Sequence, residues 1–207
     1  MEEYAGSSYW DKRYAESDAT SFDWYFPFAE LKEMLPAHVL PEDKTIEIFV
    51  PGCGTSDTGE ELSKLGYLNV TCVDSSSIAI GQMKKRSARL SSNVDYCFMN
   101  VAHLTPVLSE ACFDFIFSKA LLDAAMCEAT AIELVPQILR ELHNVLRPGG
   151  TFVSISHALP RDRLQLLRKT SLTWSVAEPT PIAKPMVPGM NEMGADRNYY
   201  AYVCTKL

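Results

Sequence analysis

The sequence predicts a three-layer α/β sandwich, Rossmann-like, with a seven-stranded, mostly parallel sheet whose final strand is antiparallel. Three observations lead to this fold class. Apolar strand-like runs alternate with amphipathic helical runs through most of the chain. The first of these strands ends in a glycine-rich turn that leads directly into a helix. The last two strand-like runs alternate apolar and polar residues, as an antiparallel pair at the end of a sheet does.

The segment TIEIFVPGCGTS contains the first strand and its turn. Four of its first six residues are apolar, which suits a strand covered on both faces of a parallel sheet. Gly52 and Gly54, with Cys53 between them, let the backbone turn sharply and approach a ligand without a Cβ in the way. Ser56 or Asp57 can then cap the following helix. This pattern is typical of a nucleotide-type cofactor site, although an ordinary strand-to-helix turn would share it.

The remaining elements are predicted from hydrophobic periodicity and from Gly and Pro at their ends. Helices are predicted at residues 57–65, 77–90, 133–146 and 162–169, and strands at residues 69–73, 94–99, 112–117, 151–156, 172–177 and 198–205. The whole chain, residues 1–207, is predicted to be one domain, in which a helical and aromatic cap at 1–44 covers a Rossmann-like core at 45–207. The proline-rich residues 178–196 are predicted to be a long irregular loop.

Composition and charge limit the classes of function and partner that the sequence is compatible with. Hydrophobic residues make up 47% and charged residues 22%, as in ordinary globular proteins. The net charge of −7 argues against a surface for nucleic acid or anionic membrane, and it is compatible with a basic protein partner. The six cysteines are scattered singly, so neither a metal site nor a disulfide framework is predicted. Because neither a signal peptide nor a transmembrane run is recognised, a soluble cytoplasmic protein is expected.

Candidate binding residues follow directly after the predicted parallel strands. In an open α/β sheet, ligands bind beyond the carboxyl ends of the strands. Asp74, followed by Ser75, comes twenty positions after Gly54, where an acidic side chain can accept hydrogen bonds from both ribose hydroxyls. Asn100 is placed to read an adenine edge, and the amide of Val101 lies beside it. Together these residues predict a site for an adenosine-containing cofactor.

The turn also distinguishes between adenosine cofactors. A dinucleotide fingerprint needs a third glycine three positions after the second, and Asp57 occupies that position. An acidic residue there disfavours a pyrophosphate, so NAD and FAD fit poorly, and the lysine of an ATP-binding P-loop is missing. S-adenosylmethionine is a cation with a ribose and an adenine but no phosphate. It fits these acidic surroundings better.

Several motifs point to a family. GCGTS after the first strand, VDSS after the second, FSKALLDA after the fourth and LRPGG before the fifth resemble a class I S-adenosylmethionine-dependent methyltransferase. With YWDKRY and FDWY included, the chain more narrowly resembles the methyltransferase-like group that methylates lysines of translation elongation factor 1A. The resemblance extends from Tyr9 to Leu207.

The resemblance implies roles for the residues at the matching positions, with S-adenosylmethionine as cofactor and S-adenosylhomocysteine as product. These roles are closure over the cofactor by Trp10, Tyr14 and Tyr25, the turn at Gly52, the ribose contact of Asp74, the adenine contacts of Asn100 and Val101, and a place near the methionyl portion for Lys119. A protein substrate is expected as the partner, rather than a nucleic acid or a membrane.

The chain departs from the family pattern at three positions. Pro51 stands where an acidic or aliphatic residue is usual. Ala120 replaces the glycine that commonly follows the lysine, and Thr55 replaces an asparagine. We expect these changes to affect one interaction below the cofactor and the floor of the site.

Methyl transfer makes few chemical demands on the protein. It is an in-line displacement at a charged sulfonium, so catalysis depends mainly on positioning, desolvation and delivery of a neutral nucleophile. A lysine nucleophile must first lose its proton. Asp123 is the candidate residue to orient it, although a carboxylate at a helix start is the alternative reading, and no general base is assigned.

The leading hypothesis is a protein-lysine methyltransferase whose substrate is a protein such as a translation elongation factor. A small-molecule methyltransferase, in which residues 178–196 serve as a lid, is an alternative. So is a partner protein that binds S-adenosylmethionine without turnover, an interpretation favoured by Pro51 and by the absence of an unmistakable catalytic acid or base. An oxidoreductase is the remaining alternative.

Overall fold

The structure is a computed structural model that describes residues 7–16, 22–169, 172–185 and 197–207. Its helices are α1 (Ser7–Glu16), α2 (Phe28–Met34), α3 (Thr58–Lys64), α4 (Ser77–Leu90), α5 (Leu121–Ala125), α6 (Ala131–Val145) and α7 (Pro160–Lys169). Its strands are β1 (Glu47–Pro51), β2 (Asn69–Asp74), β3 (Val94–Phe98), β4 (Phe113–Lys119), β5 (Leu146–Ser156), β6 (Trp174–Val176), β7 (Thr180–Ala183) and β8 (Asn198–Lys206). Helix α4 has the predicted bounds, and α5, which was expected only under the alternative reading of Asp123, carries that residue in its first turn.

The described strands form one sheet in the order β3-β2-β1-β4-β5-β8-β6, and β7 also pairs with β8. Neighbours from β3 to β5 are parallel, and β8 is antiparallel to β5, β6 and β7. Strand β6 pairs with the C-terminal part of β8, and β7 pairs with its N-terminal part. The two short strands therefore occupy the same edge position of the sheet, one after the other along β8. The predicted fold class is confirmed, with the difference that its edge strand is divided in two.

The prediction of an irregular loop at 178–196 is wrong for residues 180–183. These residues form β7, whose Ile182 is buried in the core with 1% exposure. Proline is compatible with an edge strand because an edge strand needs hydrogen-bond donors on one side only. Pro181 accordingly lies opposite Tyr200 in β8. The rest of the predicted loop from residue 186 to residue 196 lies outside the described residues.

Helices cover both faces of the sheet. On one face, α2, α3 and α4 bury apolar side chains that include Leu31, Leu62 and Met83. On the other face, the buried side chains of α5 and α6 include Leu122 and Leu139. The central strand β1 is buried at four of its five positions, as its apolar run predicts. Within the described ranges, no helix is both long enough and apolar enough to cross a membrane.

Gly59 allows α3 to pack closely on the sheet. A Cβ at this position would lie 2.6 Å from Cys72 Sγ and 3.0 Å from Tyr96 Oη, which is too close for a side chain. In dinucleotide-binding folds the third glycine of the fingerprint permits this same approach of helix and strand. Here Gly59 fulfils that packing requirement, two positions after Asp57, which occupies the position of the third glycine in the fingerprint.

A buried ion pair connects residues 22–28 to the sheet. These residues lie before α2 and at its first position. The Asp23 carboxylate accepts a hydrogen bond from Lys119 Nζ at the end of β4, and the two side chains are 7% and 6% exposed. Asp23 also accepts a hydrogen bond from the Ser56 hydroxyl, while Lys119 donates to the carbonyl oxygen of Phe26 at 2.8 Å. Burial alone would raise the pKa of Asp23, but the Lys119 ammonium outweighs burial and holds that pKa below its usual range.

Ala120 has a backbone conformation that glycine adopts more easily. Its φ is +61° and its ψ is −3°, at the residue that precedes α5. We expect Ala120→Gly to raise the free energy of unfolding by about 1 kcal/mol, because left-handed backbone is costly for a residue with a Cβ. Ala88→Gly, at an exposed position in α4, should instead lower it by about 1 kcal/mol. Urea unfolding of both variants tests this, and a loss of stability in Ala120→Gly would contradict it.

Asp23→Asn should lower the free energy of unfolding by about 3 kcal/mol, because it leaves the Lys119 ammonium buried without a carboxylate. Adding Lys119→Met should restore part of that loss. Since the pKa of Asp23 is lowered in the folded state, its contribution is complete above the ordinary carboxyl pKa of about 4 and is lost as the pH falls below that. Thermal unfolding of wild type and variant should therefore differ constantly from pH 5 to 8 and converge in stronger acid. An equal difference at every pH would refute the ion-pair explanation.

Candidate functional site

A cavity of about 320 Å³ lies at the carboxyl edge of the parallel strands. Its floor is formed by the ends of β1, β2 and β4 and by the residues that follow β3. Its sides are formed by α1, the 22–24 segment, α5 and the start of α6. The residues that line it are Trp10, Tyr14, Phe22, Trp24, Val50, Pro51, Gly52, Cys53, Gly54, Ser56, Thr58, Asp74, Ser75, Asn100, Val101, Phe117, Lys119, Ala120, Leu121, Ala124, Ala125, Glu128, Leu134 and Ile138.

The glycine turn after β1 brings the backbone to the cavity surface. Gly52 and Gly54 have φ values of +65° and +50°, so both need the freedom of glycine. A Cβ on Gly52 would lie 2.9 Å from Leu121 Cδ1, and a Cβ on Gly54 would collide with the Tyr14 hydroxyl. Hydrogen bonding with Cys72 and burial raise the pKa of the Cys53 thiol well above its usual range. Cys53 is therefore a neutral thiol in the wall of the cavity.

Asp74 joins the turn after β1 to the end of β2. Its Oδ2 accepts a hydrogen bond from Gly54 N, and its Oδ1 accepts one from Ser76 N, both at 2.8 Å. Burial raises the pKa of Asp74. Each carboxylate oxygen can accept a further hydrogen bond, so this geometry is compatible with ribose hydroxyls as additional donors.

Arg86 of α4 supports the same turn from below. Its guanidinium donates to the carbonyl oxygens of Thr55 at 3.0 Å and Ser56 at 2.8 Å. It also makes a two-pronged ion pair with Glu60, at 2.9 Å for each contact. Of the two predicted caps of α3, Ser56 supplies the side-chain hydrogen bond, in which its Oγ accepts from Thr58 N at 3.1 Å. The Asp57 carboxylate instead accepts from Phe28 N at 3.2 Å.

The polar residue after β3 has a defined orientation. Asn100 Oδ1 accepts a hydrogen bond from Ala102 N at 2.9 Å and starts a 3₁₀ turn at Val101–His103. Its side-chain amide group is therefore the part that can donate toward a ligand. Val101 is nearly buried and lines the cavity with it. Such a pair suits the acceptor nitrogens of an adenine edge.

Aromatic side chains of α1 and the 22–24 segment cover the cavity. Trp10 and Tyr14 stack with their centroids 5.9 Å apart, and Trp24 meets Trp10 edge-on. The Arg13 guanidinium lies 4.6 Å from the centre of the Phe22 ring. Burial, followed by the nearby Asp74 carboxylate, raises the pKa of Tyr14, so its hydroxyl remains protonated. The side chains of the cover that line the cavity are thus aromatic, and Arg13 is not among them.

Lys119 enters the cavity wall as one half of the ion pair with Asp23. Burial lowers the pKa of Lys119, although the Asp23 carboxylate opposes this shift. Because its ammonium is paired, the lysine adds little net positive charge to the cavity. This matters for the ligand, since an unpaired cation would repel a sulfonium.

Tyr25 and Asp123 do not line the cavity, whereas the ten other predicted site residues do. The Tyr25 hydroxyl donates to Asp123 Oδ2 at 2.9 Å. Asp123 Oδ1 accepts from Ser156 Oγ at 2.6 Å and from Arg163 Nη2 at 2.9 Å. Asp123 is thus part of a buried hydrogen-bonded cluster that adjoins the cavity. The Tyr25 hydroxyl connects this cluster to His157, whose side chain is exposed to solvent.

Several residues of the site were not assigned a role from the sequence. Phe22 belongs to the aromatic cap predicted at residues 1–44, and it lines the cavity. Asp23 and Trp24 belong to the FDWY motif, which was recognised as a family signal without a structural function. Glu128, beyond α5, has no sequence pattern that identifies it. Its carboxylate could have been found only from the fold.

The residues present fit S-adenosylmethionine. The glycine turn leaves space that a Cβ would fill, and Asp74 and Asn100 offer groups for a ribose and an adenine. The aromatic cover can stabilise a sulfonium through its ring faces. The described lining also contains the carboxylates of Asp74 and Glu128, while its lysine is neutralised by Asp23. A cation without phosphates is the ligand class that this lining favours.

Comparisons with known proteins agree with this assignment. The family model of the methyltransferase domain matches residues 42–199. A mouse protein named EEF1A lysine methyltransferase 4 is 31% identical over 187 residues, which cover 86% of this chain and 71% of that protein. A mouse eEF1A lysine and N-terminal methyltransferase is 31% identical over 158 residues, or 75% of this chain. The chain spans 22% of the length of that relative.

The fold has solved counterparts. A S-adenosylmethionine-dependent methyltransferase from Aquifex aeolicus superposes with a TM-score of 0.63 at 14% identity, covering 98% of this chain and all of that one. This similarity concerns the fold alone, and the sequence matches carry the family assignment. The chain therefore belongs to the methyltransferase-domain family, and it resembles the eEF1A lysine methyltransferases.

Proposed function

We propose that this methyltransferase transfers a methyl group to a lysine side chain of a protein, with translation elongation factor 1A as the first substrate to test. The similarity to EEF1A lysine methyltransferase 4 over most of both chains carries this proposal. The net charge of −7 supports it, because an acidic enzyme attracts a basic protein surface.

The proposed binding roles follow the arrangement of the cavity. Asp74 and Ser75 would hold the ribose, Asn100 and Val101 the adenine, and the turn at Gly52–Gly54 the methionyl portion. Trp10 and Tyr14 would cover the bound molecule, and Lys119 would hold the cover closed through Asp23. When bound, S-adenosylmethionine supplies the methyl group as a cationic sulfonium.

The protein would contribute positioning and exclusion of water. The buried Asp23–Lys119 pair and the aromatic cover keep solvent from the reacting groups, which favours displacement at a charged centre. Asp123 would act as a positioning residue, because its carboxylate holds the Tyr25 hydroxyl at 2.9 Å. Since burial raises the pKa of Tyr25, followed in effect by the Asp123 charge, the phenol would serve as a hydrogen-bond donor and not as a base.

Gly54→Ala should weaken binding of S-adenosylhomocysteine about tenfold, or by about 1.4 kcal/mol. The added Cβ would push the Tyr14 hydroxyl away from the turn, at a backbone φ of +50° that disfavours alanine. Gly81→Ala is the matched control, because no atom lies within 4 Å of its Cβ position in α4. Calorimetric titration measures both affinities. Equal binding by the two variants would remove the turn from the cofactor site.

Labelled S-adenosylmethionine should transfer its methyl group to purified eukaryotic elongation factor 1A. Asp74→Asn should reduce labelling about tenfold or more, because it removes a charged hydrogen-bond acceptor from the cavity. Asp95→Asn, an exposed change on β3, is the control and should label like wild type. Label found exclusively in the small-molecule fraction of a cell extract would support the small-molecule alternative. Cofactor binding without label in any fraction would favour a silent partner protein.

A further inference from the structure

Two tyrosine rings form a pair beside the cavity, at the same edge of the sheet. Tyr25 precedes α2, and Tyr199 lies at the start of β8, next to the end of β5. Their centroids are 4.3 Å apart with an angle of 34° between the rings. Trp24, which lines the cavity, contacts Tyr25 edge-on at 6.3 Å. The pair therefore adjoins the wall of the cavity. We call Tyr25 and Tyr199 the tyrosine pair.

The tyrosine pair is held in a fixed position. The Tyr25 hydroxyl donates to Asp123, and it lies 3.1 Å from Nδ1 of His157, a side chain 59% exposed. Tyr25 also has a φ of +69°, which is unusual for a residue with a large side chain. Such backbone persists where surrounding contacts enforce it, and it is common at functional sites. The Phe26 ring meets Tyr199 edge-on at 5.9 Å and supports it from the core.

An ammonium group already lies against this pair. Lys184, directly after β7, places its Nζ 5.0 Å from the centre of the Tyr199 ring. This distance is within the range of about 6 Å in which an aromatic face attracts a cation. The backbone of Lys184 is fixed by a hydrogen bond from its amide to the carbonyl oxygen of Arg197 at 2.9 Å. The ring face of Tyr199 is thus shaped and placed to receive an alkylammonium group.

The surrounding charges leave the rings as the main source of attraction. Among the residues that the structure describes, Asp123 is the carboxylate that is hydrogen-bonded to the pair, and the guanidinium of Arg163 balances its charge at 2.9 Å. A cation that approached the tyrosine pair would therefore gain chiefly from the ring faces and from the partial charge of the Tyr25 oxygen. These interactions attract a cation on an alkyl stem, such as a lysine side chain.

We infer that the tyrosine pair is a docking site, beside the cavity, for the alkylammonium group of a substrate lysine as it approaches, and that Lys184 competes for it from within the chain. This inference rests on the proposed function for the identity of the incoming lysine. The binding of an alkylammonium group, however, can be measured without any methyl transfer. Lys184 would then reduce the affinity for substrate by occupying the Tyr199 face part of the time.

The first test uses n-butylammonium as the probe and the full chain with labelled tyrosine rings. Nuclear magnetic resonance titration should shift the Tyr199 signals. Lys184→Gln should increase the affinity about threefold, the factor expected if Lys184 covers the site about two thirds of the time. n-Butanol, which has the same stem without charge, should bind more weakly than n-butylammonium. Equal affinity of wild type and Lys184→Gln, or equal binding of the two probes, would overturn the inference.

Matched variants separate this site from general effects. Lys44→Gln removes a similar contact, in which Nζ lies 3.7 Å from the centre of the Tyr67 ring, and it should bind the probe like wild type. In the Lys184→Gln background, Tyr199→Phe keeps the ring and should retain binding, whereas Tyr199→Leu should lose it. Retained affinity for S-adenosylhomocysteine shows that the leucine variant is folded. Probe binding that survives in such a folded leucine variant would exclude Tyr199 as the site.

The second test measures methylation of elongation factor 1A. Lys184→Gln should lower KM for the protein substrate about threefold and leave the affinity for S-adenosylhomocysteine unchanged. If the factor is not methylated by any variant, the proposed substrate is wrong, and the butylammonium titration still decides whether the subsite exists. If it is methylated with the same KM by wild type and Lys184→Gln, competition by Lys184 is refuted.

Discussion

The buried ion pair between Asp23 and Lys119 links the two parts of this protein on which the site depends. Lys119 ends β4, at the centre of the sheet, and Asp23 lies in the segment that covers the cavity. Because breaking such a pair leaves a buried charge, the covering segment cannot leave the sheet without a large loss of free energy. The same pair neutralises the lysine in the cavity wall. One interaction thus fixes the cover and makes the cavity suitable for a cation.

The fold class and much of the cavity could be predicted from sequence because their signals are local. A strand, a glycine turn and a helix are adjacent along the chain, and parallel strands bring Asp74, Asn100 and Lys119 to one edge of the sheet. The unusual residue at position 120 could also be recognised from the sequence. The family usually has glycine there, and the positive φ of Ala120 gives the physical reason for that preference.

Other features depend on contacts between distant residues. Asp23 and Lys119 are 96 positions apart, and Tyr25 and Asp123 are 98 positions apart, so no spacing rule connects either pair. Tyr25 was assigned to cofactor closure by resemblance, but it is not part of the cavity lining; its ring meets Trp24 edge-on and its hydroxyl donates to Asp123. Residues 180–183 were predicted to be loop because proline usually interrupts a sheet. The pairing partner that makes them a strand is β8, which follows later in the chain.

The divided edge strand has a consequence for the behaviour of this protein in concentrated solution. An exposed edge presents backbone groups that can pair with a strand of another molecule, which leads to aggregation or to accidental dimers. Here β6 and β7 are three and four residues long, and Pro179, Pro181 and Pro185 lie in or beside the second. Prolines lack an amide hydrogen, so an incoming strand would find few donors in register. The prolines that made residues 180–183 resemble a loop in the sequence also protect this edge of the sheet from pairing with further strands.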